Sequence, residues 1–241
     1  PAIEQRRDPL FLIPDSTEET IFIDMFNEAP VPRRKANPFV KNQSSHDVVL
    51  RHVYIAHGKA YKNDGATGRL FLEDVCSLYH IFYAKHTGDH EALALAEANP
   101  QWDFGDQRVW ARQFNPEHFG VMAQSRGGQV WMLGVKTETL GTMFEALDGA
   151  RVVIMGGTFL PSYSDDRAMP AMVVEDATLA FAVAEMVGLR WIDGRQVVRG
   201  SYPIVIEETQ GGETRQLPTE DAPRRLKGRA FVVPLYITDN P

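Results

Sequence analysis

The chain contains a single cysteine, Cys76, among its 241 residues. One cysteine excludes an intrachain disulfide and a metal cluster built on cysteines. Because Cys76 lies in an apolar run, we expect it to be a small buried side chain and not a nucleophile. Its presence gives no information on the cellular compartment.

Long apolar runs and clusters of positive charge are also missing. No stretch approaches the roughly 18 apolar residues that a membrane-spanning helix needs. The chain begins at Pro1 without an initiating methionine or a signal peptide, and we interpret it as a processed or truncated product. The formal net charge is −7, the pI is near 5.5, and Lys and Arg are not clustered. We therefore expect no nucleic-acid partner.

Several signatures of cofactor and metal sites are absent as well. The sequence has no P-loop and no nucleophile elbow, and its glycine pairs read as turns because none opens a helix after a strand. We therefore predict no cofactor. Metal-binding residue types occur close together, but their spacing is not that of a zinc site, and we interpret them as solvated loop residues: His80, His86, Asp89 and His90.

What the sequence does have is a repeat with a period of roughly two dozen positions. Runs beginning at Val109, Val130 and Val152 follow one another at nearly equal steps, and Val48 and Leu70 are separated by the same interval. Each of three repeats holds a second apolar run about half a period later, at Ile81–Tyr83, Phe119–Met122 and Thr142–Phe144. Turns such as Arg126-Gly127-Gly128 and Asp148-Gly149 separate these runs.

A fixed period of this length is typical of a solenoid, in which each unit buries its apolar face by stacking on the next. Short strands joined by turns favour an all-β fold, a parallel β-helix of about five rungs with a C-terminal β cap, and an ordinary β-sandwich is the alternative. The repeat spans residues 46–175. Residues 1–45 are predicted to be a covering segment or a remnant of preceding rungs, and residues 176–241 to be a cap.

Three further elements follow from local patterns. The step from Leu70 to Val109 is longer than one period, so one rung carries an insertion, which lies within 85–106. There Thr87 or Asp89 is expected to begin a short helix that ends at Ala98. A fifth strand in register is predicted at Met172–Val174. The cap is predicted to contain a hairpin around Gln210-Gly211-Gly212 and a last strand within 230–237.

Strand alternation assigns a direction to each side chain. We expect an aliphatic interior made of Val48, Leu50, Leu70, Leu72, Val109, Ala111, Val130, Met132, Val152 and Ile154. The same register sends one column outward, Val49, Phe71, Trp110, Trp131 and Val153, and beside it a second, Arg51, Glu73, Arg112, Leu133 and Met155. A contiguous apolar surface is normally covered or used. The terminal segments, a subunit interface or a sugar platform formed by Phe71, Trp110 and Trp131 would each explain it.

The second column places charged side chains beside the apolar column. Strands of adjacent rungs lie about 4.8 Å apart, so Glu73 and Arg112 are expected to meet, either as a structural ion pair or as groups that bind an acidic sugar. Glycoside hydrolysis requires two carboxylates that face each other across the bond. Glu73 with Asp106 or Asp103 is the predicted pair.

The motifs at Val109–Glu117 and Gly128–Glu138, followed by Val153–Gly157, resemble the right-handed parallel β-helix proteins of the pectate lyase superfamily. In particular it looks like the bacterial secreted group labelled glycosyl hydrolase family 28-related. The resemblance covers roughly residues 46–175, with a looser match to the C-terminal hairpin. It implies a right-handed β-helix, an exported protein and cleavage of a polysaccharide by hydrolysis or elimination.

Taken together, these patterns predict a β-helix protein that contacts polysaccharide, and the resemblance implies that it is extracellular and belongs with hydrolases or lyases. Its working face would carry Trp110, Trp131, Glu73 and Arg112. The alternative is a non-catalytic structural or adhesive subunit that self-associates through the same face.

Overall fold

The computed structural model describes residues 9–15, 19–27, 38–56, 59–78, 99–139, 141–161, 169–186, 189–192, 195–198, 201–223 and 230–238. Within these ranges the protein consists of strands and turns, which confirms the all-β class. The helix predicted from Thr87 or Asp89 to Ala98, the run Ile81–Tyr83 and the three histidines His80, His86 and His90 lie outside the described residues. No helix in the described ranges has the length and apolarity to cross a membrane.

Two large sheets contain 17 of the 19 strands. Sheet A has the spatial order β1 (Phe11–Ile13), β3 (Val40–Asn42), β5 (Tyr61–Asn63), β7 (Trp102–Asp103), β9 (Ala123–Arg126), β11 (Phe144–Leu147), β13 (Pro170–Glu175), β17 (Ile204–Gln210), β18 (Glu213–Pro218). Sheet B has the order β19 (Val232–Ile237), β14 (Thr178–Glu185), β12 (Arg151–Phe159), β10 (Gln129–Thr137), β8 (Arg108–Glu117), β6 (Leu70–Leu78), β4 (Val48–Ile55), β2 (Ile21–Asp24). A separate antiparallel pair joins β15 (Leu189–Ile192) to β16 (Arg195–Val198).

From β1 to β14, consecutive strands alternate between sheet A and sheet B, and neighbours within each sheet are parallel. The predicted register is confirmed where the repeat is regular, because Val130 pairs with Val109 on one side and with Val152 on the other. The insertion does not disturb the stack, since Leu70 still pairs with Val109 across it.

The interior of sheet B is the predicted aliphatic ladder. All ten residues expected to point inward are at most 4% exposed. Burying one Val, Leu or Ile contributes about 1.5–3 kcal/mol. The stack of similar rungs therefore stabilises the fold through contacts between neighbouring repeats, and no single repeat can supply them alone.

Each long strand of the regular repeats contains one residue with a left-handed backbone. These residues are His52, Asp74, Gln113, Gly134 and Gly156, with φ between 51° and 74°. The left-handed residue interrupts the alternation, so that two successive side chains face outward, as at Arg51-His52, before an apolar residue turns inward again. In β4, β6, β8, β10 and β12 the interruption falls at the same level of the stack, and it divides each of these strands in two.

The structure corrects three local predictions. The short strand β9 begins at Ala123, just after the run Phe119–Met122, and β11 begins at the last residue of the run Thr142–Phe144. Met172–Val174 belongs to β13 in sheet A, where Met172 pairs with Phe144. Leu179, and not Val173, lies beside Val152, because the connection between β12 and β13 is longer than those between β8 and β9 and between β10 and β11.

The two ends of the stack differ. At the N-terminal end, β1 and β2 pair in parallel with β3 and β4, so the described residues 9–15 and 19–27 extend each sheet by one strand. Parallel pairing also continues past residue 175, through β14 and β17. At the C-terminal end, β18 pairs antiparallel with β17 and forms the predicted hairpin. The predicted last strand, β19, pairs antiparallel with β14.

A buried carboxylate in this C-terminal region makes stability depend on pH. Glu185 is 2% exposed and accepts hydrogen bonds from the Ser201 hydroxyl and the Tyr202 backbone N–H, both at 3.0 Å. Burial raises the pKa of Glu185 to about 7. The folded state therefore binds this proton more tightly than the unfolded state, and its contribution to stability is present below pH 4.5 and is lost as the pH rises through 7.

We therefore expect Glu185→Gln to stabilise the protein at pH 8 by about 1–3 kcal/mol and to change stability little at pH 5. Urea denaturation at the two pH values measures this difference. Glu213→Gln, at an exposed position of β18, is the control and should leave both midpoints unchanged. A wild-type protein whose stability does not fall between pH 5 and 8 would contradict the assignment.

Candidate functional site

The outward face of sheet B carries an unbroken line of apolar side chains, here called the outer stripe. It has one member on each of the eight strands and consists of Phe22, Val49, Phe71, Trp110, Trp131, Val153, Ala180 and Ile237. The column predicted from the sequence is therefore present and longer than expected, because β2, β14 and β19 extend it at both ends.

Three rings in the middle of the outer stripe stack on one another. The ring centroids of Phe71 and Trp110 lie 5.3 Å apart at an interplanar angle of 17°, and those of Trp110 and Trp131 lie 4.9 Å apart at 15°. The Arg69 guanidinium lies 5.4 Å from the Phe71 centroid. Both faces of the Trp110 indole are thus covered by its neighbours, and the ring edges point outward. A sugar can approach Trp110 only along its edge.

Beside the outer stripe runs a column of alternating charge, Asp24, Arg51, Glu73 and Arg112, here called the charged column. Arg51 forms an ion pair with Asp24, and this hydrogen bond lowers the pKa of Asp24 to about 2. Arg112 forms an ion pair with Glu73, as the sequence predicted. Both pairs are open to solvent, so each contributes little to stability.

A groove of about 220 Å³ lies between the stacked rings and the charged column. Its lining consists of Phe71, Leu72, Glu73, Trp110, Ala111, Arg112, Trp131 and Leu133. Five residues predicted to act together from the sequence, Phe71, Glu73, Trp110, Arg112 and Trp131, therefore share one site. Leu133 completes its apolar wall and is 57% exposed.

The described terminal segments do not cover this surface. Phe22, from the N-terminal rung, is 63% exposed and lies in the outer stripe as another member of it. Ile237, from the last strand, is 57% exposed at the opposite end. The expectation that these segments shield the stripe is not met in the part of the chain that the structure describes.

The two candidate partners of Glu73 lie elsewhere. Asp103 is on β7 in sheet A, where its carboxylate accepts the Gly105 backbone N–H at 3.2 Å and burial raises its pKa. Asp106 lies in the turn before β8, and its carboxylate is 3.5 Å from the Asn63 amide nitrogen. Neither residue lines the groove. The carboxylate pair required for glycoside hydrolysis is not assembled there from these residues.

The groove is lined by both hydrogen-bond donors and hydrogen-bond acceptors. The indole N–H groups of Trp110 and Trp131 donate to no described residue. Arg112 has donors beyond those that Glu73 occupies, and the Glu73 carboxylate has acceptor capacity beyond its bond to Arg112. An apolar wall with donors and acceptors along it suits a ligand rich in hydroxyl groups.

Cys76 lies on the same sheet, beyond the left-handed residue Asp74. It is half-buried, the Asn115 side-chain amide donates to its sulfur at 3.3 Å, and burial raises its pKa to about 11. A thiol with this pKa is protonated at neutral pH and is a poor nucleophile. Within the described ranges, no group of three His, Cys, Asp or Glu side chains is arranged to hold a metal ion.

Sequence reasoning missed the extension of the stripe to Phe22, Ala180 and Ile237. Their strands are offset from the neighbouring repeat by an irregular interval, or run antiparallel, so a fixed period does not reach them. Apolar residues in succession on a short strand, as in Ile21-Phe22-Ile23, were the available signal. Comparisons with protein-family models, with curated proteins and with solved structures found no match to this chain.

Proposed function

We propose that sheets A and B are the walls of a right-handed parallel β-helix of an exported protein similar to the pectate lyase superfamily. Three features support this. Consecutive strands alternate between the sheets, parallel neighbours are one repeat apart, and a left-handed residue divides each regular long strand at the same level. A chain that winds around a common interior accounts for all three.

We further propose that this protein binds an extended polysaccharide along the outer face of sheet B. The observation that carries the proposal is the groove, in which Phe71, Trp110 and Trp131 form one wall and Glu73 with Arg112 lies opposite. The groove follows the direction in which the rungs stack. A linear chain of sugars lying in it would meet equivalent positions on successive strands.

The contacts differ from the stacking of a sugar on a ring face. An aromatic ring carries partial positive charge at its edge, so the exposed edges of Trp110 and Trp131 favour hydroxyl oxygens, and the indole N–H groups donate to them. Arg112 donates to hydroxyl or carboxylate oxygens, and Glu73 accepts from hydroxyl groups. Leu133 contacts the C–H surface of a sugar.

The proposed activity on the bound chain is cleavage by hydrolysis or elimination, with Glu73 and Arg112 as the groups in contact with the sugar. Glu73 can donate a proton to the glycosidic oxygen or accept one from the attacking water in hydrolysis, or accept one from a ring carbon in elimination, and Arg112 can stabilise developing negative charge. Asp106 would complete a two-carboxylate mechanism only if it reached the groove from its turn. A protein that binds the glycan without cleaving it is therefore the alternative. The experiment must distinguish this alternative from an enzyme.

A panel of neutral and acidic glycans that includes cellohexaose and hexagalacturonate tests the proposal. We expect calorimetry to detect binding of at least one extended glycan, and assays of reducing ends and of absorbance from unsaturated products to distinguish hydrolysis, elimination and binding alone. Glu73→Gln should abolish turnover if cleavage occurs. Failure to bind any glycan of the panel would refute the proposed function.

A further inference from the structure

We propose that a second copy of this chain packs face to face on the outer stripe, and that self-association and polysaccharide binding exclude each other. The exclusion rests on the proposed function, whereas the self-association does not. It starts from a mismatch in size. The groove involves only β6, β8 and β10, but the outer stripe runs across all eight strands of sheet B.

The stripe continues beyond the groove on both sides of it. The part outside the groove consists of Phe22 and Val49 on one side and Val153, Ala180 and Ile237 on the other. Phe22 and Ile237 are more than half exposed, as is Leu133 in the neighbouring column. Isolated apolar side chains are normal on a protein surface, but a continuous line of this length is a mark of an interaction site.

The area of this face is sufficient for a stable dimer. Seven strand spacings of about 4.8 Å give a stripe about 34 Å long, and the stripe with the column on each side is about 20 Å wide. Each copy would bury about 680 Å², or about 1,400 Å² in total, which lies in the usual range of specific interfaces. Two sheets can pack in this way about 10 Å apart.

The charges beside the stripe favour a second copy as the occupant. On the side away from the charged column, Asp47 and Arg69 form an ion pair with each other. They precede β4 and β6 on the strands that carry Arg51 and Glu73, and all four side chains are open enough to exchange partners across an interface. A twofold axis parallel to the stack would set Asp47 opposite the second copy's Arg51, and Arg69 opposite the second copy's Glu73. On the next strand, Arg108 would face the second copy's Arg112. In each copy, the charge of Arg112 is balanced by the ion pair that it forms with Glu73 of the same copy.

In this arrangement the groove lies inside the interface. The edges of Trp110 and Trp131 in one copy would face the same residues in the other and leave no space for a sugar chain. Ligand binding therefore shifts the protein toward the monomer, because a ligand favours the state to which it binds more tightly. Dissociation by a glycan is a result that a structural dimer without a binding site would not give.

The test compares sedimentation velocity of the wild-type protein with that of two matched variants. Val153→Lys places a charge in the outer stripe outside the groove, and Val173→Lys makes the same change at a half-buried outward position of sheet A. Over about 1–100 μM, we expect a dimer for the wild type and for Val173→Lys, and at least about tenfold weaker association for Val153→Lys. Cellohexaose or hexagalacturonate, whichever binds, should dissociate the wild-type dimer.

A wild-type protein that stays monomeric over this range, or a dimer equally strong in Val153→Lys, overturns the inference and leaves the proposed function to its own test. A dimer that persists while a glycan binds overturns the mutual exclusion. If the Val153→Lys variant weakens the dimer but no glycan binds, the self-association stands and the proposed function fails. Circular dichroism of both variants separates loss of association from loss of folding.

Discussion

Replacing both Trp110 and Trp131 with alanine is expected to weaken the binding of an extended polysaccharide by about 100-fold. Each indole contributes apolar contact and one N–H donor to the groove, and the two contributions together are worth about 1–1.5 kcal/mol. Two such losses add to about 2–3 kcal/mol, which corresponds to about two orders of magnitude in Kd. Calorimetry with the best glycan of the panel measures it, at protein concentrations where the wild type is monomeric.

Two further variants make this measurement specific. Phe22→Ala removes an aromatic side chain from the same stripe but outside the groove, and it should leave the affinity unchanged. Trp131→Phe keeps an aromatic ring on Trp110 but removes the N–H donor, so we expect a loss of only about fivefold, near the value of one hydrogen bond. A folded double alanine variant with wild-type affinity would show that the sugar binds elsewhere.

The largest expected effect on stability is that of Trp102→Ala, a loss of about 4 kcal/mol in the free energy of unfolding. Trp102 is fully buried on β7, its indole N–H donates to the Ser77 hydroxyl at 2.8 Å, and its ring meets the Phe114 ring edge-on with centroids 5.1 Å apart. It joins β7 of sheet A to β6 and β8 of sheet B. Alanine would leave a large cavity at that junction and remove a donor from a buried hydroxyl.

Urea denaturation of the variant checks this value, and Trp102→Phe is the matched control. Phenylalanine fills most of the cavity but cannot donate to Ser77, so we expect a loss of about 1–2 kcal/mol. A loss below about 1 kcal/mol for the alanine variant would mean that the two sheets do not depend on this contact. The effect is large because a domain of this kind is stable by only about 5–15 kcal/mol.

The regular part of the stack was predictable because each strand carries its own alternation of apolar and polar residues and the strands follow one another at a nearly constant interval. Val109, Val130 and Val152 each begin the same apolar and polar alternation, and the strands they start are direct neighbours. Alternation fixes which side chains share a face, and the period fixes which strands are adjacent. The meeting of Glu73 with Arg112 followed from these two facts alone.

The positions of the left-handed residues also leave a pattern in the sequence, although the period of the repeat does not predict them. A pair of outward residues such as Arg51-His52 or Arg112-Gln113 separates two inward residues in each long strand. Strict alternation would place one residue of the pair inside. Two polar residues in succession between apolar ones therefore mark the place where the strand alternation is interrupted.

Irregular steps were not predictable from the period. Ile21 pairs with Val48 and Val152 pairs with Leu179, each across a longer interval than the regular repeat, because the loops between strands vary in length while the stack does not. Lengthening a surface loop costs little free energy, so the sequence is free to vary there. A fixed period therefore does not predict the strands before Val48, and it places Met172–Val174 in the wrong sheet.

The amino-acid sequence by itself determined the aliphatic interior, the apolar line through Trp110 and Trp131, and the ion pair beside it. The tertiary structure decided that the faces of these rings are used by each other, that the line continues to Phe22 and Ile237, and that Asp103 and Asp106 stand apart from Glu73. The physical reason is the range of the forces involved. The alternation of side chains is set by the backbone of adjacent residues and by the pairing of adjacent strands. The position of a turn and the orientation of an aromatic ring depend on the packing of the whole stack.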